Sequence, residues 1–367
     1  MNRYLLLSFL IFTFFSTNCF AHDPLNSIVP SISKIEHRNG YANINSPVKV
    51  IVDKNRIDLG DEGYELICDP TEFIITAKTQ AGAFYGKQTV FQLKSAGNFK
   101  ACKIIDKPKM KIRGVMLDLA RCKEKNEYYY HIIDKLAKWK INTVFIHFTD
   151  QEGCAIEIKK YPQIASPNAF TQEEMKDLIN FAKERHIDLI PEVESWGHAG
   201  YILDHFPELK ESDRDLCICN PKIYEVLGDI YSEIAELFPS KYLHIGCDEA
   251  LSYGECDICK KFISEHGKDK LVEMHLNKLA DMAKAVGKTP MMWTDILLKH
   301  PDIMDDITKD MIMCFWRYTE IVDPEPAKLL SSKGFKVIGC PAIVWYGRMI
   351  LPRTDAIPSI RPAGCWR

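Results

Sequence analysis

From Pro108 onward, short apolar segments alternate with amphipathic helical stretches, and no other feature narrows the possible folds of this chain as much. The segments run Ile112 to Leu117, Thr143 to Phe148, Ile187 to Val193, Tyr242 to Gly246, Pro290 to Trp293, Met311 to Phe315 and Lys336 to Gly339. Near-continuous apolar runs separated by helices read as parallel strands joined by helical crossovers, because both faces of such strands are covered. The helix ends are marked as well. Thr171 with Glu174 forms a capping box ahead of Met175, Leu178, Ile179 and Ala182, and Asn220-Pro221 opens a second helix that Phe238-Pro239 stops. Gly287 and Gly334 stand where later helices end.

Nearly every one of these strands leads into polar or aromatic residues: Asp118 with Arg121, His147 with Asp150, Glu192 with Glu194 and His198, Asp248 with Glu249, Trp293 with Asp295, Trp316 with Arg317, and Trp345 with Tyr346. In a (β/α)8 TIM-type barrel the C-terminal strand ends converge on one rim, so a single pocket collects them. A doubly wound open sheet calls instead for a glycine-rich phosphate loop after its first strand, and Arg113-Gly114-Val115 offers none. The expected architecture is α/β: a barrel over residues 108–367, truncated after strand 7 because no eighth strand is legible, preceded by a small α/β domain over residues 22–107. That small domain shows short alternating strands such as Val48 to Val52 and Phe73 to Ala77, and a helix from about Gly82 to Leu93. Trp139, on an amphipathic helix, is expected in the core.

Residues 1–21 combine Arg3, an apolar run from Leu5 to Phe15 and a small residue at Ala21, the pattern of a secretory signal peptide, so an exported, periplasmic or extracellular location is expected. Lipidation of Cys19 is the alternative reading of this stretch. The net charge of -3, with both signs interspersed, argues against a nucleic-acid partner, and no later segment reads as a membrane span. Thirteen cysteines are compatible with export, most of them as small buried hydrophobes. Cys217-x-Cys219 and Cys256-x-x-Cys259 flank one long helix and read either as a four-thiolate zinc site or as a pair of bridges.

Asp248 and Glu249 follow the apolar strand Tyr242 to Gly246, which puts two adjacent carboxyls at a buried rim where ionising both is unfavourable. One is then held protonated, the state of a general acid, while its partner stabilises positive charge; a solvated strand-end pair is the bland alternative. His244-Ile245-Gly246-Cys247-Asp248-Glu249 resembles the H-x-G-G-D-E signature of the retaining β-N-acetylhexosaminidases of glycoside hydrolase family 20, with cysteine in place of the second glycine. The resemblance extends, in order, to Arg113-Gly114-Val115-Met116-Leu117-Asp118, His147-Phe148-Thr149-Asp150 and Pro191-Glu192-Val193-Glu194-Ser195-Trp196-Gly197-His198. It begins in the small domain at Gly63-Tyr64-Glu65-Leu66 and Ala81 to Thr89, and covers about Gly63 to Trp316.

The resemblance implies an exo-acting enzyme that removes terminal N-acetylhexosamine from glycans or glycoconjugates, with no metal or cofactor. The substrate's own acetamido oxygen is the nucleophile; Glu249 is the acid and Asp248 orients the acetamido group. By the same resemblance Arg113 and Asp150 hold sugar hydroxyls and His198 connects to the acid; Glu194, four residues before His198 where the family usually has aspartate, is expected to fix the imidazole tautomer. Trp293 and Trp316 wall the acetamido pocket, and Trp345 stands where further sugar contacts are expected. Two departures stand out. Gln151-Glu152-Gly153 replaces the usual loop after the aspartate, and the stretch beyond Pro341 supplies no further strand. The rival readings are a truncated or degenerate amino-sugar binder and a metal-dependent barrel hydrolase built on His147, His198, His244 and Asp248.

Overall fold

The computed structural model describes residues 23–319 and 321–342, so the expectations for the leader segment, Cys19 and Trp345 lie outside the described residues. The chain divides into two compact units between Lys109 and Met110.

The first unit is a five-stranded sheet in the order Lys34–Tyr41, Lys100–Asp106, Tyr64–Cys68, Phe73–Ala77, Val48–Val52. The pairings are antiparallel except the last, where Val48–Val52 runs parallel to Phe73–Ala77. Alternate residues of Tyr64–Cys68 and Phe73–Ala77 are buried, as strands with one covered face require. Helix Gln80–Ala96, capped by the Thr79 hydroxyl on the Gly82 N–H, packs on the sheet. Gly86 makes that approach possible, since a Cβ there would press into Ile75 and the Tyr64 ring.

The second unit is built on a parallel sheet whose strands pair in chain order: Gly114–Asp118, Thr143–His147, Asp188–Glu192, Tyr242–His244, Thr289–Trp293, Ile312–Arg317 and Lys336–Pro341. Sequential parallel pairing with helices between strands is the construction of a (β/α)8 TIM-type barrel, and seven of its strands lie among the described residues. Every residue of Thr143–His147 is buried, the condition for the unbroken apolar runs of the sequence. On the sheet's inner face Phe145, Ile190, Met291, Trp293, Ile312 and Cys314 form one apolar cluster, joined by half-buried Met116 and Trp316.

The helix boundaries follow their caps. Both halves of the Thr171–Glu174 capping box form, the Asn220 side chain accepts the Lys222 N–H, and Gly287 and Gly334 take φ values of 78° and 87° just past helices Lys268–Ala285 and Glu325–Ser332. Trp139 departs from expectation. Helix Asn126–Lys138 stops one residue before it, the chain leaves the helical face, and the ring is half exposed instead of entering the core.

Candidate active site

Strand register places the polar strand ends side by side. Asp118 pairs with His147, His147 with Glu192, and Glu192 with His244, so four polar residues form one row across the first four barrel strands. Three of them, His147, Glu192 and His244, are buried, so each must find its partner within the row or just beyond it. Glu192 is the hub. Its carboxylate lies 2.8 Å from His147 Nδ1 and 3.2 Å from His244 Nδ1, and accepts the Trp293 indole N–H at 2.6 Å.

A second row stands above the first, on the loops. His147 Nε2 is 2.7 Å from Asp150, whose other oxygen is 3.0 Å from His198 Nδ1. His198 Nε2 then faces Glu249 at 3.3 Å, Asp248 at 3.7 Å and the Arg214 guanidinium at 2.9 Å. Arg121 is ion-paired with Asp150 and, at 2.9 Å, with Asp118. The result is a continuous chain from Glu192 through His147, Asp150 and His198 to Glu249.

Carboxyls and imidazoles alternate along this chain, and the shifts of its four buried members follow from that order. Burial opposes a charge on His147, but Glu192 and Asp150 outweigh it and hold the imidazole well above its ordinary value. His198 is raised in the same way, with the Asp150 hydrogen bond and the Asp248 charge overcoming burial. Glu192 and Asp150 move in the opposite sense: burial would raise them, and the imidazoles on either side hold them below the usual carboxylate range. Away from the imidazoles the acids are crowded. Burial and the Asp248 charge push Glu194 well above its ordinary value, burial raises Asp248 against the pull of His198, and burial with the Asp248 charge lifts Asp295 to about 6.

The loop after the fourth strand is wound left-handed to present its acids. Gly246, Cys247 and Glu249 have φ values of 64°, 72° and 45°, and His198 on the facing loop has 53°. Gly246 satisfies two demands, since a Cβ would fall within the Glu194 carboxylate as well as straining the backbone. Cys247 takes the same conformation with a side chain, a strained setting that surrounding structure must hold. The Glu249 N–H donates to Asp295 at 2.9 Å, and Gly197 lets the facing loop lie directly against the Asp248 carbonyl. Asp248 keeps 20% and Glu249 45% of its side-chain surface exposed, so both acids open to a ligand while Asp150, Glu192 and Glu194 are buried.

Several expected contacts change. Arg113 precedes its strand, and its guanidinium donates to the carbonyls of Lys140 and Met110, at the end of the sheet opposite the acids. Arg121, three residues past that strand, is the arginine at the rim. Asp150 is fully buried with its oxygens turned to His147, His198 and Arg121, so it positions these groups instead of meeting solvent. Glu194 does not touch His198, whose Nδ1 belongs to Asp150; it accepts the Cys247 N–H at 3.2 Å and interacts with Asp248. Trp293 lies on the barrel interior with its ring 4.4 Å from His244, and Trp316 beside it packs at a tilt against Tyr318, 4.9 Å between ring centres.

Asp248, Glu249 and His198 converge as expected. Arg214 and Asp295 join them without any sequence signal beyond, for Asp295, its place at a strand end. The proposed metal set of His147, His198, His244 and Asp248 does not gather: both nitrogens of His147 and His198 already face other partners, and the residues there within metal-ligand reach of one another, among those described, are His147, Glu192 and Glu194.

Residues 111–356 match the catalytic domain of glycosyl hydrolase family 20, and residues 31–107 match domain 2 of the same family. A beta-hexosaminidase of Porphyromonas gingivalis is 30% identical over 66% of this chain and 36% of its own length. One from Vibrio furnissii is 30% identical over 78% of this chain and 53% of its own. The chain thus spans about a third to a half of these curated relatives. Among solved structures, a Flavobacterium johnsoniae chitobiase superposes with a TM-score of 0.75 at 26% identity, covering 85% of this chain and 58% of that one. A Vibrio harveyi exo beta-N-acetylglucosaminidase bound to N-acetylglucosamine gives 0.74 at 24% identity, covering 87% and 61%.

Proposed function

The chain belongs to glycosyl hydrolase family 20, and from that premise we propose that it is an exo-acting β-N-acetylhexosaminidase that releases terminal N-acetylglucosamine or N-acetylgalactosamine with retention of configuration. The observation that carries this reading is the adjacency of Asp248 and Glu249 at the open end of the barrel, with His198 Nε2 facing both.

Glu249, the more exposed acid, protonates the glycosidic oxygen and afterwards takes a proton from the incoming water. Asp248 accepts the substrate's amide N–H and turns the acetamido oxygen onto the anomeric carbon, a proximity effect that replaces an enzyme nucleophile. Its orientation is set from two sides. Glu194, which burial and the Asp248 charge raise well above its ordinary value, lies on its buried side, and His198 faces it from the loop. Arg121 and the half-buried face of Trp316 supply the polar and flat apolar surfaces a sugar needs. The reading places this activity outside the cytoplasm, supported by the charged, apolar and small-residue pattern of residues 1–21.

The test is release of nitrophenol from aryl N-acetyl-β-glucosaminide and -galactosaminide by the full chain. Glu249→Gln should lower kcat by ~10²–10⁴-fold, and a trifluoroacetamido substrate, whose carbonyl is a poorer nucleophile, should turn over more slowly than the acetamido one. Unchanged turnover in Glu249→Gln refutes the proton donor, and saturable binding of N-acetylglucosamine without turnover by the unaltered chain favours the binder.

A further inference from the structure

Away from the acids, three sulfurs meet from two loops. Cys217 Sγ lies 3.2 Å from Cys256 Sγ and 3.8 Å from Cys259 Sγ. Cys256 caps helix Asp257–His266, and its sulfur accepts the Cys259 N–H at 3.4 Å. Glu211 completes the group. One of its oxygens accepts the N–H groups of Glu255 and Cys256, while the other is buried with no hydrogen-bond partner. A Glu211 oxygen and the three sulfurs lie within 4.8 Å of one another.

Thiols are weak hydrogen-bond donors and do little for a buried carboxylate oxygen. A cation with soft, tetrahedral preference satisfies all four donors at once. Zinc–sulfur bonds of about 2.3 Å set tetrahedral sulfur–sulfur edges of about 3.8 Å, the scale of the spacing found. Cys219 also approaches Cys259, but it borders a groove with Ile218, Pro221, Tyr224 and Phe262 and stands outside the group.

We propose that Cys217, Cys256, Cys259 and Glu211 form a structural zinc site that staples the loop after the third barrel strand to the loop after the fourth. Four protein ligands close the coordination shell, so the ion holds structure and does not activate water. The first loop carries Arg214, which faces His198, and the second leaves Glu249. Asp215 already links them by accepting the Leu251 and Ser252 N–H groups at 3.2 and 3.1 Å. The staple sets how firmly Arg214 is held against Glu249, and it stands whether or not the chain is a glycosidase.

The experiment is metal analysis of the full chain purified without chelator. One zinc per chain is expected, with Co²⁺ exchange giving thiolate charge-transfer and tetrahedral d–d absorption. Chelation should lower Tm and expose Cys217 to thiol labelling. Cys256→Ser should abolish binding, Glu211→Gln should weaken it at least tenfold, and Cys219→Ser should keep one zinc per chain. Should Cys256→Ser fail to fold, the chelation readouts on the unaltered chain decide. A Cys217–Cys256 disulfide in non-reduced digests, or a reduced chain that takes up no zinc, overturns the site; loss of zinc in Cys219→Ser with retention in Glu211→Gln overturns the ligand set.

Discussion

Asp150 Oδ1 lies 3.0 Å from His198 Nδ1 and holds one side of the ring whose other nitrogen faces Arg214 and Glu249. The Asp150 carboxylate also raises His198 above its ordinary value. Asp150→Asn should therefore lower the titration midpoint of His198, followed by imidazole NMR shifts. An unmoved midpoint would show that the raised value does not come from Asp150.

The two arginines should separate cleanly. Arg121→Ala removes the cation that meets Asp118 and Asp150 at the rim and should raise KM by roughly an order of magnitude, the scale of a lost charged hydrogen bond. Arg113→Ala removes donors from the Lys140 and Met110 carbonyls and should cost about 1–3 kcal/mol in urea unfolding, with kcat/KM nearly unchanged. Kinetic loss in Arg113→Ala instead would put Arg113, not Arg121, at the substrate.

Gly246→Ala should be among the most damaging small changes in the barrel. Its Cβ falls within the Glu194 carboxylate, and the backbone sits at φ 64°. Overpacking and left-handed strain together predict a loss of about 2–4 kcal/mol, read as a shift of the denaturation midpoint. A variant as stable as the parent would mean Glu194 has room to move.

Asp295 gives a pH signature. Its folded value of about 6 exceeds that of an unfolded aspartate, so the unfolded chain releases its proton first as pH rises. The stability it contributes is complete below the unfolded value, declines as pH climbs from about 4 to about 6, and stays lost above that. At about 1.4 kcal/mol per unit, the span corresponds to at most ~3 kcal/mol. Asp295→Asn keeps an acceptor for the Glu249 N–H and should flatten this decline when unfolding is measured from pH 4 to pH 7. Parallel curves for the two proteins would place the titration elsewhere.

The barrel was legible in the sequence because its signals are local. Apolar strand segments, the Thr171–Glu174 box, the Asn220-Pro221 cap and the glycines after later helices each act within a few residues, and the acids at 248 and 249 are neighbours in the chain. What the tertiary structure alone decided is who partners whom. Arg121 replaces Arg113 because strand direction puts one at the open rim and the other at the opposite end, and no local pattern carries that choice. His198 takes Asp150, 48 residues away, over Glu194 on its own loop, because register and a φ of 53° aim the ring across strands. Glu211 meets Cys256 only when two loops from different strands are packed together. Short-range propensity writes the elements, while hydrogen bonds between buried groups far apart in sequence select the partners.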